Sequence, residues 1–143
     1  MKVCVYNFTE LTTNALYEIL KARVNVFVVE QNCPYPELDD IDYRSIHVYL
    51  EENDKILGYC RVFQKEDDIV QIGRVLSTQR NKHYGYDVMK KGIEVSKTYF
   101  SAKQIYIEAQ TYAIPFYEKF DFVTISEPFL EDGIPHVKMI KSL

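Results

Sequence analysis

The chain has 143 residues, the usual size of one domain with one core, and its 47% hydrophobic and 27% charged content is that of a soluble globular protein. The formal net charge is -4 with no block of Lys or Arg, which argues against nucleic acid, whose phosphates would be repelled. Three scattered cysteines, Cys4, Cys33 and Cys60, form no C-x-x-C pair, and no apolar run approaches a signal peptide or a membrane span, so the expectation is a cytoplasmic protein with reduced thiols, no metal and no membrane partner.

Residues 2–8 alternate and are rich in Val, Tyr and Phe, which predicts a strand. Thr12 or Thr13 can cap the helix that follows. Leu16, Ile19, Leu20, Val24, Phe27 and Val28 recur at helical spacing, and Cys33-Pro34 with Tyr35-Pro36 ends that helix near residues 30–32. An acidic loop, 34–43, carries Glu37, Asp39, Asp40 and Asp42. Three strands in a meander are predicted next, at 47–50, 56–63 and 69–77, with turns at Glu52-Asn53-Asp54 and Glu66-Asp67-Asp68. A polar segment then leads into a second helix, with Val88, Met89, Gly92, Ile93 and Ser96 on its buried stripe. Ile105, Ile107 and Ala109 alternate as a strand, closing a βαβ crossover. Ala113, Phe116, Tyr117 and Phe120 mark a third helix, with Pro115 tolerated in its first turn. Residues 122–125 and 137–140 complete the order β-α-β-β-β-α-β-α-β-β. No linker or repeat interrupts it, so residues 1–143 are read as a single domain of mixed α/β class.

The loop before the second helix is Gln79-Arg80-Asn81-Lys82-His83-Tyr84-Gly85-Tyr86. A helix N-terminus offers unpaired N–H groups and a positive dipole end, and Arg80 and Lys82 add charge where a pyrophosphate would lie. On these residues alone, an ordinary solvated loop is an equally good reading.

This loop, following the strand Ile72–Ser77, resembles the acetyl-CoA motif of the GNAT (Gcn5-related N-acetyltransferase) superfamily, R/Q-x-x-G-x-G/A, with Arg80 first, His83 in the first glycine's place and Gly85 last. Residues Ala113 to Phe122 are similar to the family's A-x-x-F-Y-x-x-x-G-F stretch, with Asp121 for the usual Gly. Residues Arg23 to Tyr35, Asp39-Asp40 and Glu127 to His136 resemble the ElaA-like branch.

The resemblance implies a mostly antiparallel sheet flanked by helices, and an acetyl group passed from acetyl-CoA to an amine by direct attack. It implies that the strand ending at Ser77 splays from the strand at 105–109. The pantetheine arm would lie in the gap against Val75, Leu76 and Ser77, and the phosphates on Arg80, Asn81, Lys82, His83, Tyr84, Gly85 and Tyr86. Tyr117 matches the position of a general acid for the leaving thiolate.

A base must take the amine's proton, and the candidates are His136, His47, Glu30 and Glu108. His136 is preferred, because imidazole titrates near neutrality. Arg23 and Glu30, seven residues apart on one helix, are expected on one face beside the acceptor, a small-molecule or peptide amine. The acidic loop suggests a cationic acceptor. Arg74, on an apolar strand, needs a carboxylate or the cofactor. His83 and Asp121 leave room for an alternative, a CoA-binding or partner-binding module with altered catalysis. A homodimer is compatible with the sequence.

Overall fold

The computed structural model describes residues 1–143. The first strand, β1 (Lys2–Asn7), leads through a turn to α1 (Thr13–Arg23). Thr12 is the cap, its side chain accepting the Ala15 N–H at 3.0 Å. After Arg23 the winding changes: Val24–Glu30 is a π-helix. Its β-branched residues, Val24, Val26, Val28 and Val29, would crowd the turns of an α-helix. Bonds of the i→i+5 type put more residues in each turn, so Glu30 rotates off the face that carries Arg23.

The meander is β2 (Ile46–Glu52), β3 (Lys55–Glu66) and β4 (Ile69–Ser77). Asn53 and Asp54, both at positive φ (51° and 62°), make the β2–β3 turn, the backbone that matches strand twist in a tight hairpin. Then come α2 (Tyr84–Thr98), β5 (Gln104–Gln110), the short α3 (Ile114–Glu118), β6 (Val123–Thr124), β7 (Phe129–Glu131) and β8 (Ile134–Ser142). The sheet order is β1-β2-β3-β4-β5-β8-β6, with β7 paired to β8; every pair is antiparallel except β4 with β5.

The last predicted strand is longer than expected, the one before it shorter, and β7 was not expected at all. Its signal was present: Asp132-Gly133, at φ 51° and 78°, is a two-residue hairpin turn. Flanking residues 127–131 hid it, because their alternation is broken by Pro128.

Both faces of the sheet are covered. Val88, Met89 and Val95 of α2 close one face over Val62, Ile72 and Ile107. Ile19 and Ala22 of α1 close the other over Tyr49 and Tyr59. Gly58 and Gly92 permit the approach of α2: a Cβ at Gly58 would sit 3.1 Å from the Tyr84 carbonyl oxygen, and one at Gly92 would sit 3.0 Å from Cys60 Sγ. All three cysteines are free and buried.

Candidate active site

The parallel pair opens almost as soon as it forms. β4 and β5 are in register only at Ile69–Gln71 against Gln104–Tyr106. Beyond Gln71 the β5-facing edge of β4 pairs with no strand. A bulge sharpens the divergence: between Tyr59 and Arg61 of β3, β4 inserts an extra residue, and Arg74 there has φ 52°. Gly73 lies in the same stretch, and a Cβ there would meet nothing within 4 Å.

The gap is the mouth of a cleft of about 640 Å³, lined among others by Val75, Glu108, Tyr117, Glu131 and His136. Val75 lines the cleft while its side chain packs against the core. Leu76 turns its side chain into the core, and Ser77 Oγ donates to the Gln79 carbonyl at 2.7 Å, so these two present backbone to the gap at most.

At the far end of β4 the chain crosses a loop to α2. Arg80, Asn81 and Lys82 are exposed, and no carboxylate lies within ion-pair distance of Arg80 or Lys82. His83 has φ 60° and ψ 17°, so it takes the left-handed conformation that glycine would adopt at this place. Asp121, which replaces the usual Gly of the Ala113–Phe122 stretch, has φ 69°. Both departures keep the backbone shape and carry a local strain cost instead. The first α2 N–H to find a carbonyl is that of Asp87, on His83 O at 3.0 Å, which leaves the N–H groups of Tyr84, Gly85 and Tyr86 free. The Tyr84 ring packs on the core and the Tyr86 ring lies 4.9 Å from Phe120, so these tyrosines offer their backbone. Gly85 meets only Phe116, at an ordinary 3.9 Å, so internal packing does not require the glycine. An anion-binding donor set is therefore in place: three free N–H groups at a helix N-terminus and two unpaired cations.

Tyr117 stands on α3, its ring edge-on to Phe116 and Phe122 at centroid distances of 5.1 and 6.0 Å. The ring is held by aromatics, the residue lines the cleft, and its hydroxyl has no hydrogen-bond partner in the protein. Burial pushes its pKa up, so the phenol keeps its proton at neutral pH.

The base candidates separate cleanly. His47 is sealed: Nε2 donates to the Asp42 carbonyl at 3.0 Å, Nδ1 accepts from Tyr59 Oη at 2.7 Å, and burial lowers its pKa. Glu30 is exposed on the π-helix and outside the cleft. His136 is 8% exposed; its Nδ1 donates to the Ile134 carbonyl at 2.7 Å, so Nε2 carries the free lone pair. Glu108 faces the cleft on β5, not bulk solvent.

Arg23 and Glu30 are not an acceptor pair. Arg23 is fully buried and spoken for: Nε donates to Glu37 Oε2 at 2.7 Å, Nη1 to Asp42 Oδ1 at 2.6 Å, and Nη2 to the Glu37 carbonyl at 3.3 Å. Phe27 and Gln31, not Arg23 and Glu30, reach the cleft from this segment, because the π-helix turned the register.

The acidic loop is likewise not an open negative field. Arg61 forks onto Asp39 at 2.8 and 2.6 Å and also reaches Asp42 at 3.1 Å. Arg74 donates to Glu37 Oε2 at 2.7 Å and approaches Asp39 at 3.3 Å, which answers its need for a carboxylate. Three guanidiniums meet three carboxylates. Burial opposes the charge on Asp39, but the hydrogen bonds and charge of Arg61, with Arg74, hold its pKa down at about 2.

Known proteins share this fold. Residues 16–143 match the family model described as an acetyltransferase (GNAT) domain. The chain belongs to the GNAT acetyltransferase family. A UPF0039 protein of Schizosaccharomyces pombe is 41% identical over 136 residues, 92% of this chain and 91% of that one. The crystal structure of Escherichia coli ElaA is 33% identical with a TM-score of 0.93, covering 99% of this chain and all of that one, which places this chain in the ElaA-like branch. The crystal structure of an acyl-CoA N-acyltransferase from Pseudomonas aeruginosa is 30% identical, also with a TM-score of 0.93 and the same coverage. Acyl transfer is therefore the activity class of this GNAT domain.

Proposed function

We propose that this GNAT protein moves an acetyl group from acetyl-CoA to an amine. The observation that carries the reading is the unpaired edge of β4 opening onto a cleft that holds an unpartnered phenol, Tyr117, on one side and an imidazole lone pair, His136 Nε2, on the other. Acetyl-CoA supplies the activated thioester. The free N–H groups of Tyr84 to Tyr86, with Arg80 and Lys82, fit its pyrophosphate, and the β4 edge at Val75 to Ser77 offers backbone partners for the pantetheine amides. A backbone N–H on that edge meets the carbonyl oxygen as charge develops on it.

His136 Nε2 takes one proton from the incoming amine, leaving the nitrogen pair free to attack. As the carbon–sulfur bond breaks, Tyr117 Oη gives its proton to the departing thiolate. The acylated nitrogen gives its second proton to the Tyr117 phenolate through solvent, and the His136 imidazolium releases its own proton to solvent, so the products are the amide, the CoA thiol and one proton.

The test is a thiol-release assay with acetyl-CoA against a panel of amines. Amine-dependent release supports the reading. Thermal stabilisation by acetyl-CoA with no release on any amine would favour a CoA-binding module instead.

A further inference from the structure

The polar corner of the cleft on β5, β7 and β8 contains two carboxylates, Glu108 and Glu131, that the reading above does not use. Gln110 of β5 lies across from His136 of β8, and Glu131 of β7 across from Ile134, so Glu108, Glu131 and His136 share one face of three neighbouring strands. Glu108 and Glu131 are within hydrogen-bonding reach of each other. Two ionised carboxylates have only acceptors, so this contact needs a proton on one of them. Tyr106 Oη donates to Glu108 Oε2 at 2.6 Å and favours the charge there, which leaves the proton on Glu131. His136 Nε2, the free lone pair, is 3.4 Å from Glu131 Oε2 and has no other partner.

We propose that the Glu108–Glu131 pair is the subsite for the acceptor's ammonium group, and that it releases its shared proton to solvent when a protonated amine binds. This rests on the reading of the cleft as the acceptor's side of an acyltransferase. With one proton the pair carries one negative charge, directly beside the imidazole that the mechanism uses. An ammonium N–H can make the hydrogen bond that the shared proton made, and a second N–H points at His136 Nε2. The favoured acceptor is accordingly an alkylamine, charged at neutral pH, over a weakly basic aryl amine.

The surrounding charges are compatible with this. Asp132, in the β7–β8 turn, adds negative charge beside Glu131. Lys65 of β3 lies over the Tyr106 ring at 4.5 Å and forms no ion pair with Glu108, though its field favours the Glu108 charge. Arg74 of β4 acts on Glu131 at a distance, but its guanidinium is bonded to Glu37 and Asp39. Lys138, across from Glu108 on β8, extends over the Phe129 ring at 6.0 Å. No cation is paired to either carboxylate of the couple. Burial, the contact with Glu108 and its charge push Glu131 up to about 7, in the range where an arriving ammonium can displace the proton.

The test follows the protonated-carboxyl infrared band against pH, in butylammonium chloride and in sodium chloride of equal ionic strength. In the wild type one carboxyl is expected to titrate near neutrality, and that band is absent from Glu131→Gln. Butylammonium is expected to lower the midpoint, by about one unit at tenfold excess over its Kd, since each state's population follows 1+[L]/Kd. A wild type with no carboxyl titrating near neutrality overturns the shared proton. A midpoint that butylammonium leaves in place overturns the ammonium subsite. If Glu131→Gln fails to fold, the wild-type titrations decide alone. Stabilisation by acetyl-CoA, measured on the same protein, is independent of both: its failure tells against the acyltransferase reading, not against the subsite.

Discussion

Two acidic regions of this molecule, one crowded into a single loop and one split between two strands, behave in opposite ways. Glu37, Asp39 and Asp42 meet three guanidiniums and are neutralised in the interior beside the π-helix. Glu108 and Glu131 meet no paired cation and are left sharing a proton in the cleft. The difference teaches that a count of carboxylates in a loop says little about field. Arg23 and Glu37 lie fourteen residues apart, and Arg74 and Glu37 thirty-seven, so the pairing that silences the loop is made by topology. The negative charge available to an acceptor lies on β5 and β7, where the sequence shows only two isolated glutamates.

The largest expected effect breaks the first region. Arg23→Ala leaves Glu37 and Asp42 buried, each with one of its two guanidinium partners gone, and should cost about 3–5 kcal/mol of stability, read by urea unfolding. A loss under about 1 kcal/mol would mean that Arg61 and Arg74 alone satisfy the cluster.

Next is Tyr117→Phe, which tests the cleft without touching either acidic region. It is expected to lower kcat roughly 10- to 1000-fold, with KM for acetyl-CoA nearly constant and stability changed by no more than about 1 kcal/mol. Unchanged kcat with chemistry rate-limiting would reduce Tyr117 to a packed ring.

Acetyl-CoA at about 100-fold excess over Kd should add ~2.7 kcal/mol to stability, seen as a rise of several degrees in Tm. Arg80→Ala should weaken that effect, most at low salt, because Arg80 is an exposed charge. A shift that ignores both the substitution and the salt would remove the phosphate role of this loop.

The smallest effect sharpens the comparison most. The two regions should titrate with opposite signs. Asp39 is held at about 2 in the fold, below its ordinary 3.8, so its contribution is complete above 3.8 and is lost as pH falls through 2. Glu131 stands at about 7, above its ordinary 4.5, so its contribution is complete below 4.5 and is lost as pH rises through 7. Glu131 is partly exposed, and solvent screening keeps this second slope shallow. Subtracting the Tm–pH curve of Glu131→Gln from that of the wild type should isolate it. A difference curve flat between 4.5 and 7 would show that the pair shares no proton.

Much of the fold was legible because local periodicity reports burial. The helical stripe of Val88, Met89, Gly92, Ile93 and Ser96, the alternation of Ile105, Ile107 and Ala109, and the caps and turns each have a short-range cause. The loop Arg80 to Tyr86 and the stretch Ala113 to Phe122 carried the family, and with it the splay of the strands at 69–77 and 105–109. The substitutions His83 and Asp121 were visible as departures from the family's glycines, and the structure shows that both positions have φ > 0.

What the tertiary structure alone decided is which charges meet. Helical spacing put Arg23 and Glu30 on one face, but the valine-rich segment widened into a π-helix and separated them. Arg23, Arg61 and Arg74 reached the acidic loop from three different elements, a meeting no local pattern encodes. Glu131 entered the cleft because β7 folded back on β8 beside β5 and His136. Periodicity fixes the face on which a side chain lies within its own element; electrostatic partnership depends on distances of a few ångströms between elements remote in sequence, and only the packed sheet sets those.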